Sequence, residues 1–335
     1  MIYFCKMSMA FIGAIFVANC LCYFYYSPAV QTENIERYTD LKNEPSGHNP
    51  ICTEGYGHII IDGNGFSNAD LFPYHEAEVL CVGSSQTEGS NVNWDENYVY
   101  LLNNKAHVIK AYNLGVSAQT FATSFYRIKA LKDNFPACRT IIFEINALPS
   151  NSELLTMKEF MEKGEVPTKD LSWKKGNFAL QVVGRIPLCR LLWSQYASYR
   201  KGKETSKAPT KTAVKQDAED NYYELAEDVL RLAKQQAGET KIMLFYLPVL
   251  TIGHDGNLVV EPKKGKLSDL QAACEEQGII FVDMGTTIIE HYTNERILPY
   301  GFGNSKVGFG HLNPQGHKMI ADTLYTTFLK EGIAQ

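Results

Sequence analysis

A few polar residues in this 335-residue chain stand at the ends of short apolar runs, where they could carry out acyl transfer. A serine hydroxyl becomes a good nucleophile when a neighbouring base takes its proton, and histidine is the usual base. The chain offers Ser85 in a stretch rich in Gly and Ser, and His311 near its C-terminal end. Gly115 follows a second apolar run and Asn146 ends a third. Both residues could donate hydrogen bonds to the oxyanion of a tetrahedral intermediate.

Five short apolar runs, with helical segments between them, would position these residues. The runs are rich in Val, Ile and Phe and occupy 77–83, 108–113, 140–146, 241–247 and 279–283. Apolar runs of this length are typical of strands covered on both faces. Their alternation with helices predicts an α/β fold with one doubly wound, about five-stranded parallel sheet, a flavodoxin-like three-layer sandwich. Ligands of such sheets bind beyond the carboxyl ends of the strands, where the candidate residues lie.

Four blocks occur in a fixed order at these strand ends. The first run leads into Gly83-Ser84-Ser85-Gln86-Thr87-Glu88-Gly89, the second is followed by Gly115, and the third ends at Asn146. The fourth block, near the C-terminal end, is His311 with Gly316-His317 shortly after it. This order and spacing resemble the SGNH, or GDSL-type, hydrolase superfamily, which carries a Gly-Asp-Ser-x-Thr-x-Gly block after its first sheet strand. The resemblance covers roughly 58–147 and 238–332, and it includes a partial likeness to alginate-type O-acetyltransferases.

The resemblance implies a role for each matching residue. Ser85 would be the nucleophile, and His311 would accept its proton and pass it to the leaving alcohol. The oxyanion hole would be formed by the backbone N–H groups of Ser85 and Gly115 and the side-chain amide of Asn146. Glycine suits the second of these positions because backbone can approach the substrate closely where there is no Cβ.

The chain departs from the family pattern at the residue that orients the histidine. The family places an acid three residues before this histidine, or two in some acetyltransferases, and here those positions hold Gly308 and Phe309. We therefore expect a Ser85–His311 dyad with no adjacent carboxylate and slow turnover; Asp283, at the end of the fifth run, is the alternative acid. The family's Asp before the nucleophile is replaced by Ser84, a position that mainly supports the turn.

The N-terminal region predicts a membrane connection. Residues 7–26 are almost entirely apolar and long enough to cross a bilayer, with aromatic residues at the far end. An uncleaved anchor within 1–30, a cleaved signal peptide and lipidation at Cys20 are the alternatives. The positive-inside rule places the N-terminus in the cytoplasm and the rest outside. Residues 31–50 would be a linker, and 51–335 the hydrolase domain with a mostly helical insertion at 150–216.

Composition narrows the function classes further. With 32 Lys+Arg against 37 Asp+Glu the net charge is −5, which disfavours a nucleic-acid-binding protein. No Cys or His pattern with zinc spacing is found, so we expect neither a metal nor an organic cofactor. The predicted function is an extracytoplasmic, membrane-anchored serine esterase acting on acyl, most simply acetyl, esters of an envelope or extracellular glycan. An O-acyltransferase using the same site, and a non-catalytic glycan-binding or assembly protein, are the alternatives.

Overall fold

The computed structural model describes residues 2–25, 47–51, 54–55, 57–69, 71–105, 109–117, 119–164, 221–252, 256–260, 265–305 and 307–334, with positions 186, 188, 189 and 192. Most of the predicted linker and insertion lies outside these residues. The first helix, α1 (Ile2–Tyr25), contains the window Tyr3–Cys22, with a mean hydropathy of 1.7 and no buried part. By length and composition, this window could cross a membrane.

The centre of the fold is a five-stranded parallel sheet. Its strands are β3 (Val79–Gly83), β4 (Ala111–Gly115), β5 (Thr140–Ile145), β6 (Lys241–Tyr246) and β9 (Ile280–Asp283), in the spatial order β4-β3-β5-β6-β9. This is the flavodoxin-type order, so the predicted fold class is confirmed. The chain changes direction across the sheet between β3 and β5, and ligands of such sheets bind at that point beyond the strand ends.

Two antiparallel hairpins accompany the sheet, and helices cover it. The hairpins are β1 (Gly47–Ile51) with β2 (Gly57–Ile61), and β7 (Leu250–Ile252) with β8 (Leu258–Val260). The helices are α2 (Ser85–Glu88), α3 (Tyr98–Lys105), α4 (Phe121–Ser124), α5 (Ile128–Asn134), α6 (Asn151–Lys163), α7 (Tyr222–Ala237), α8 (Lys266–Glu276), α9 (Met284–Glu295) and α10 (Pro314–Lys330). Short 3₁₀ turns lie at Tyr74–Glu76, Trp94–Glu96 and Phe125–Arg127.

The strand side chains alternate between two apolar clusters. In β3, Leu80 and Val82 pack with α4 to α8, whereas Val79 and Cys81 pack with α3, α9 and α10. Because both faces are buried, the strands are apolar along their whole length, which explains the unbroken runs seen in the sequence. The helix layers thus pack against both faces of the sheet and leave its carboxyl edge to carry the candidate residues.

The second strand of the sheet begins three residues later than predicted. The apolar run at 108–113 suggested its bounds, but β4 extends from Ala111 to Gly115. The pairing places Gly83 of β3 level with Gly115 of β4 at the carboxyl edge. Gly115 is therefore a strand residue, and this determines the direction of its N–H group.

Candidate active site

Ser85 lies where β3 passes directly into the short helix α2. Ser84 is the N-cap residue of that helix, and its side chain accepts a hydrogen bond from the backbone N–H of Gln86. The helix ends at Gly89, whose φ of 69° is in the left-handed region that favours glycine. This tight strand-to-helix turn presents the half-buried side chain of Ser85 at the carboxyl edge of the sheet.

His311 approaches Ser85 from the other end of the chain. The Oγ of Ser85 and the Nε2 of His311 are 2.9 Å apart. His311 precedes α10, and its carbonyl oxygen accepts a hydrogen bond of 2.9 Å from the N–H of Gly301. Asn313 caps α10 by accepting a hydrogen bond from the N–H of Gly316. The two residues expected to act together therefore lie within hydrogen-bond distance.

A carboxylate also lies beside His311, and the predicted dyad is wrong on this point. Glu54 Oε2 is 2.7 Å from the Nδ1 of His311, and Glu54 Oε1 accepts a hydrogen bond of 3.0 Å from the backbone N–H of the same residue. The acid comes from the segment just before β2, far from Gly308 and Phe309 in sequence. Its proximity completes a Ser85–His311–Glu54 arrangement of the kind used by serine hydrolases.

The segment carrying Glu54 is held in place by hydrogen bonds to Asn91 and to the loop that carries His311. This loop, the histidine loop, comprises residues 301–305 and 307–312. The side-chain amide of Asn304 accepts from the N–H of Gly55 at 2.7 Å and donates to its carbonyl oxygen at 3.0 Å. Asn91 donates to the carbonyl oxygen of Glu54 at 2.6 Å. Gly310 has a φ of 90°, and a Cβ at this residue would collide with the Glu54 carboxylate. Glycine at 310 thus allows the acid to reach the histidine.

The charge state of Glu54 suits a partner of histidine. Burial opposes its charged form, but hydrogen bonds from the ring and the main chain of His311, with the attraction of the imidazolium, outweigh this effect. The pKa of Glu54 is therefore held below its ordinary value. A charged carboxylate at this place can both fix the imidazole tautomer and stabilise the imidazolium formed when Ser85 loses its proton.

Gln86, the residue after Ser85, links the nucleophile turn to the histidine loop. Its Oε1 accepts a hydrogen bond of 2.7 Å from the N–H of Leu312, and its Nε2 donates one of 3.3 Å to the carbonyl oxygen of Gly310. The side chain therefore bonds to both chain neighbours of His311. This pair of bonds fixes the separation between Ser85 and His311 from the serine side.

A buried glutamate lies beneath the nucleophile turn. Glu144 of β5 is 3% exposed, and its carboxylate accepts hydrogen bonds from the backbone N–H and hydroxyl groups of both Ser84 and Thr87. Burial is the largest influence on its pKa and raises it, although these four donors act in the opposite direction. The bonds hold the two residues that flank Ser85 and Gln86 against the sheet. The only trace of Glu144 in the sequence is an acid inside the apolar run 140–146.

The three expected oxyanion donors have different surroundings. Within the described residues, the N–H of Ser85 has no hydrogen-bond acceptor, and the half-buried side chain of Asn146 has no hydrogen-bond partner. The N–H of Gly115, in contrast, donates a hydrogen bond of 2.8 Å to Oδ1 of Asn113. A Cβ at Gly115 would collide with the backbone of Glu88. The N–H of Gly115 is thus hydrogen-bonded within the chain, its role as an oxyanion donor stays a prediction, and its lack of a Cβ serves the close packing of α2 on β4.

Two further polar residues near the predicted strand ends and the last block, Asp283 and His317, have structural roles. Asp283 caps α9, where its Oδ1 accepts a hydrogen bond of 2.8 Å from the N–H of Gly285, so it does not serve as the missing acid. His317 is 1% exposed, and its Nδ1 accepts a hydrogen bond from the N–H of Tyr98. Burial, with a smaller contribution from His311, lowers its pKa to about 3, so this imidazole is neutral and belongs to the core.

The chain is similar to several solved structures of hydrolases. A lipolytic protein of the G-D-S-L family from Veillonella parvula is 14% identical, with coverage of 76% of this chain and 98% of that chain and a TM-score of 0.40. The psychrotrophic esterase EstA from Pseudoalteromonas sp. is 13% identical, with coverage of 76% and 97% and a TM-score of 0.39. The acetyl xylan esterase AlAXEase is 10% identical, with coverage of 75% and 98% and a TM-score of 0.40.

The chain resembles the SGNH, or GDSL-type, hydrolases. This resemblance lies in the four sequence blocks that contain Ser85, Gly115, Asn146 and His311. No family model matches the sequence, and no curated protein matches it.

Proposed function

We propose that this protein is a serine esterase that cleaves acyl esters through a covalent acyl-Ser85 intermediate. The observation that carries the proposal is the continuous arrangement of Ser85, His311 and Glu54, with atom separations of 2.9 Å and 2.7 Å. A hydroxyl, an imidazole and a carboxylate in this order are suited to activating the hydroxyl for attack on a carbonyl carbon.

The first half of the reaction transfers the acyl group to the enzyme. Ser85 Oγ attacks the ester carbonyl while Nε2 of His311 takes its proton, and the charge of Glu54 stabilises the imidazolium. The N–H of Ser85 and the amide of Asn146 donate hydrogen bonds to the oxyanion. His311 then gives the proton to the leaving alcohol, and the acyl group stays on Ser85.

The second half releases the acyl group by the same route. His311 takes a proton from water, the water oxygen attacks the acyl carbon, and Ser85 regains its proton from His311. If a sugar hydroxyl replaces water as the acceptor, the same steps give acyl transfer, which is the second candidate function. A non-catalytic binding role was suggested by the apparent lack of an acid, and Glu54 removes that reason.

The apolar helix α1 supports a proposed location. Because Lys6 lies near the N-terminal end of this helix, we propose that this end faces the cytoplasm and that the hydrolase domain lies outside it. An acyl ester on an envelope or extracellular glycan is then the proposed substrate class. A C-terminal reporter that is active only outside the cytoplasm should be active in fusion with the full chain; activity of a cytoplasmic reporter instead would contradict the location.

The proposed reaction is tested by comparing two neighbouring serines. The full-length protein in detergent should hydrolyse p-nitrophenyl butyrate, and Ser85→Ala should abolish that hydrolysis. Ser84→Ala should lower thermal stability, since it removes a helix cap, but should keep most of the activity. Loss of activity in Ser84→Ala together with full activity in Ser85→Ala would overturn the assignment of the nucleophile.

A further inference from the structure

An apolar groove opens beside the candidate site. Its volume is about 200 Å³, and its apolar lining consists of Leu247, Pro248, Val249, Leu250, Tyr300 and Phe309. Four of these residues come from the segment that leaves β6 and enters β7, so the groove is built on the sheet edge. Leu247 and Leu250 are buried, whereas Val249 is 50% exposed and Phe309 37% exposed. The groove therefore has a buried floor and an open apolar rim.

The groove also has a polar part of its lining next to the catalytic residues. Gln86, Asn146 and Gly310 belong to this lining. Gln86 and Gly310 are the chain neighbours of Ser85 and His311, and Asn146 is the proposed oxyanion donor. A carbonyl carbon placed for attack by Ser85 thus lies next to the groove, with its oxygen toward Asn146.

We propose that this groove binds the acyl chain of the substrate, and that the preferred acyl group has roughly six to eight carbons instead of two. This inference rests on the proposed esterase function and specifies its substrate. A cavity of about 150 Å³ holds a six-carbon benzene molecule, so about 200 Å³ accommodates a chain of that size or slightly longer. An acetyl group would leave the apolar lining in contact with water, whereas a longer chain buries it.

The inference is tested with p-nitrophenyl esters of acetate, butyrate, hexanoate and octanoate, because the alcohol is constant while the acyl chain changes. Full burial of one methylene group increases binding about fourfold, so a partly open groove should give two- to threefold per methylene. For the full-length protein in detergent, we expect kcat/KM to rise at least about tenfold from acetate to hexanoate. Equal rates along the series, or a preference for acetate, would overturn the acyl groove.

Two variants locate the effect in the groove. Val249→Trp fills the rim and should lower kcat/KM for hexanoate about tenfold while changing that for acetate less than about twofold. Phe309→Ala removes part of the lining and should reduce the difference in kcat/KM between acetate and hexanoate. Val259→Trp is the matched control, since Val259 is 45% exposed on β8, the strand that pairs with β7, but lies outside the groove.

The outcomes separate this inference from the function on which it rests. If the wild type cleaves the esters and Val249→Trp affects all of them like Val259→Trp, the groove does not bind the acyl chain, although the esterase stands. If the folded wild type cleaves none of the esters, the esterase proposal fails and the acyl groove fails with it. If hexanoate cleavage is lost in Val249→Trp but not in Val259→Trp, the result supports both the esterase and the acyl groove.

Discussion

The carboxylate of Glu54 accepts hydrogen bonds from both the ring and the backbone of His311, at 2.7 Å and 3.0 Å, across 257 residues of sequence. One carboxylate thus orients the imidazole and holds the loop that carries it. In the sequence, the acid of this site therefore precedes the sheet, whereas its histidine lies near the C-terminal end of the chain. This relationship makes Glu54 the residue whose removal distinguishes a triad from a dyad most clearly.

Glu54→Gln should lower kcat for ester cleavage by about 10³- to 10⁴-fold, since an amide can impose the wrong imidazole tautomer and carries no charge. The measurement is steady-state hydrolysis of p-nitrophenyl butyrate by the full-length protein. Glu76→Gln is the control, because Glu76 pairs with Lys110 on the surface and should leave kcat unchanged. A Glu54→Gln variant with nearly normal kcat would show that Ser85 and His311 act as a dyad.

Gln86→Met should lower kcat roughly ten- to a hundredfold and leave KM nearly unchanged, because the variant keeps the size of the side chain but loses both bonds to the histidine loop. The exposed Gln315 offers a matched Gln→Met control. Gln86→Glu, which retains an acceptor for the N–H of Leu312, should recover part of kcat. A rise in KM with normal kcat would instead assign Gln86 to substrate binding.

Asn146→Ala should lower kcat by about 10²- to 10³-fold, as expected for the removal of one oxyanion donor. The melting temperature should change little, since the Asn146 side chain has no hydrogen-bond partner among the described residues. Gly115→Ala should behave oppositely and destabilise the fold, because its new Cβ meets the backbone of Glu88. A normal kcat in Asn146→Ala would remove this amide from the proposed mechanism.

The stability difference between the wild type and Glu144→Gln should depend on pH. Burial raises the pKa of Glu144 above its ordinary 4.5 in the folded protein, so the folded state binds this proton more tightly than the unfolded state. This contribution to stability is present below pH 4.5 and is lost as the pH rises through the folded pKa. From pH 4.5 upward, the melting temperature of the wild type should therefore fall relative to that of Glu144→Gln. A difference in melting temperature that does not change with pH would contradict the raised pKa.

The sequence predicted the sheet and part of the site for one physical reason. Buried parallel strands are short apolar runs, and their carboxyl ends place Ser85 and Asn146 on one edge even though they are far apart in the chain. Glu54 could not be found this way, because it precedes the sheet and reaches His311 through a loop with no repeating pattern. The hydrogen bond from the N–H of Gly115 also escaped prediction, since its acceptor is the side chain of Asn113 two residues earlier.

The most direct test of the proposed catalytic arrangement is covalent labelling of Ser85 in the full-length protein. After incubation with a serine-reactive fluorophosphonate and proteolysis, mass spectrometry should locate the adduct on Ser85, not on Ser84. Labelling should be lost in His311→Ala and slowed at least about a hundredfold in Glu54→Gln, because both changes weaken removal of the serine proton. A folded protein whose Ser85 stays unmodified, or which carries the adduct on another serine, would contradict the triad.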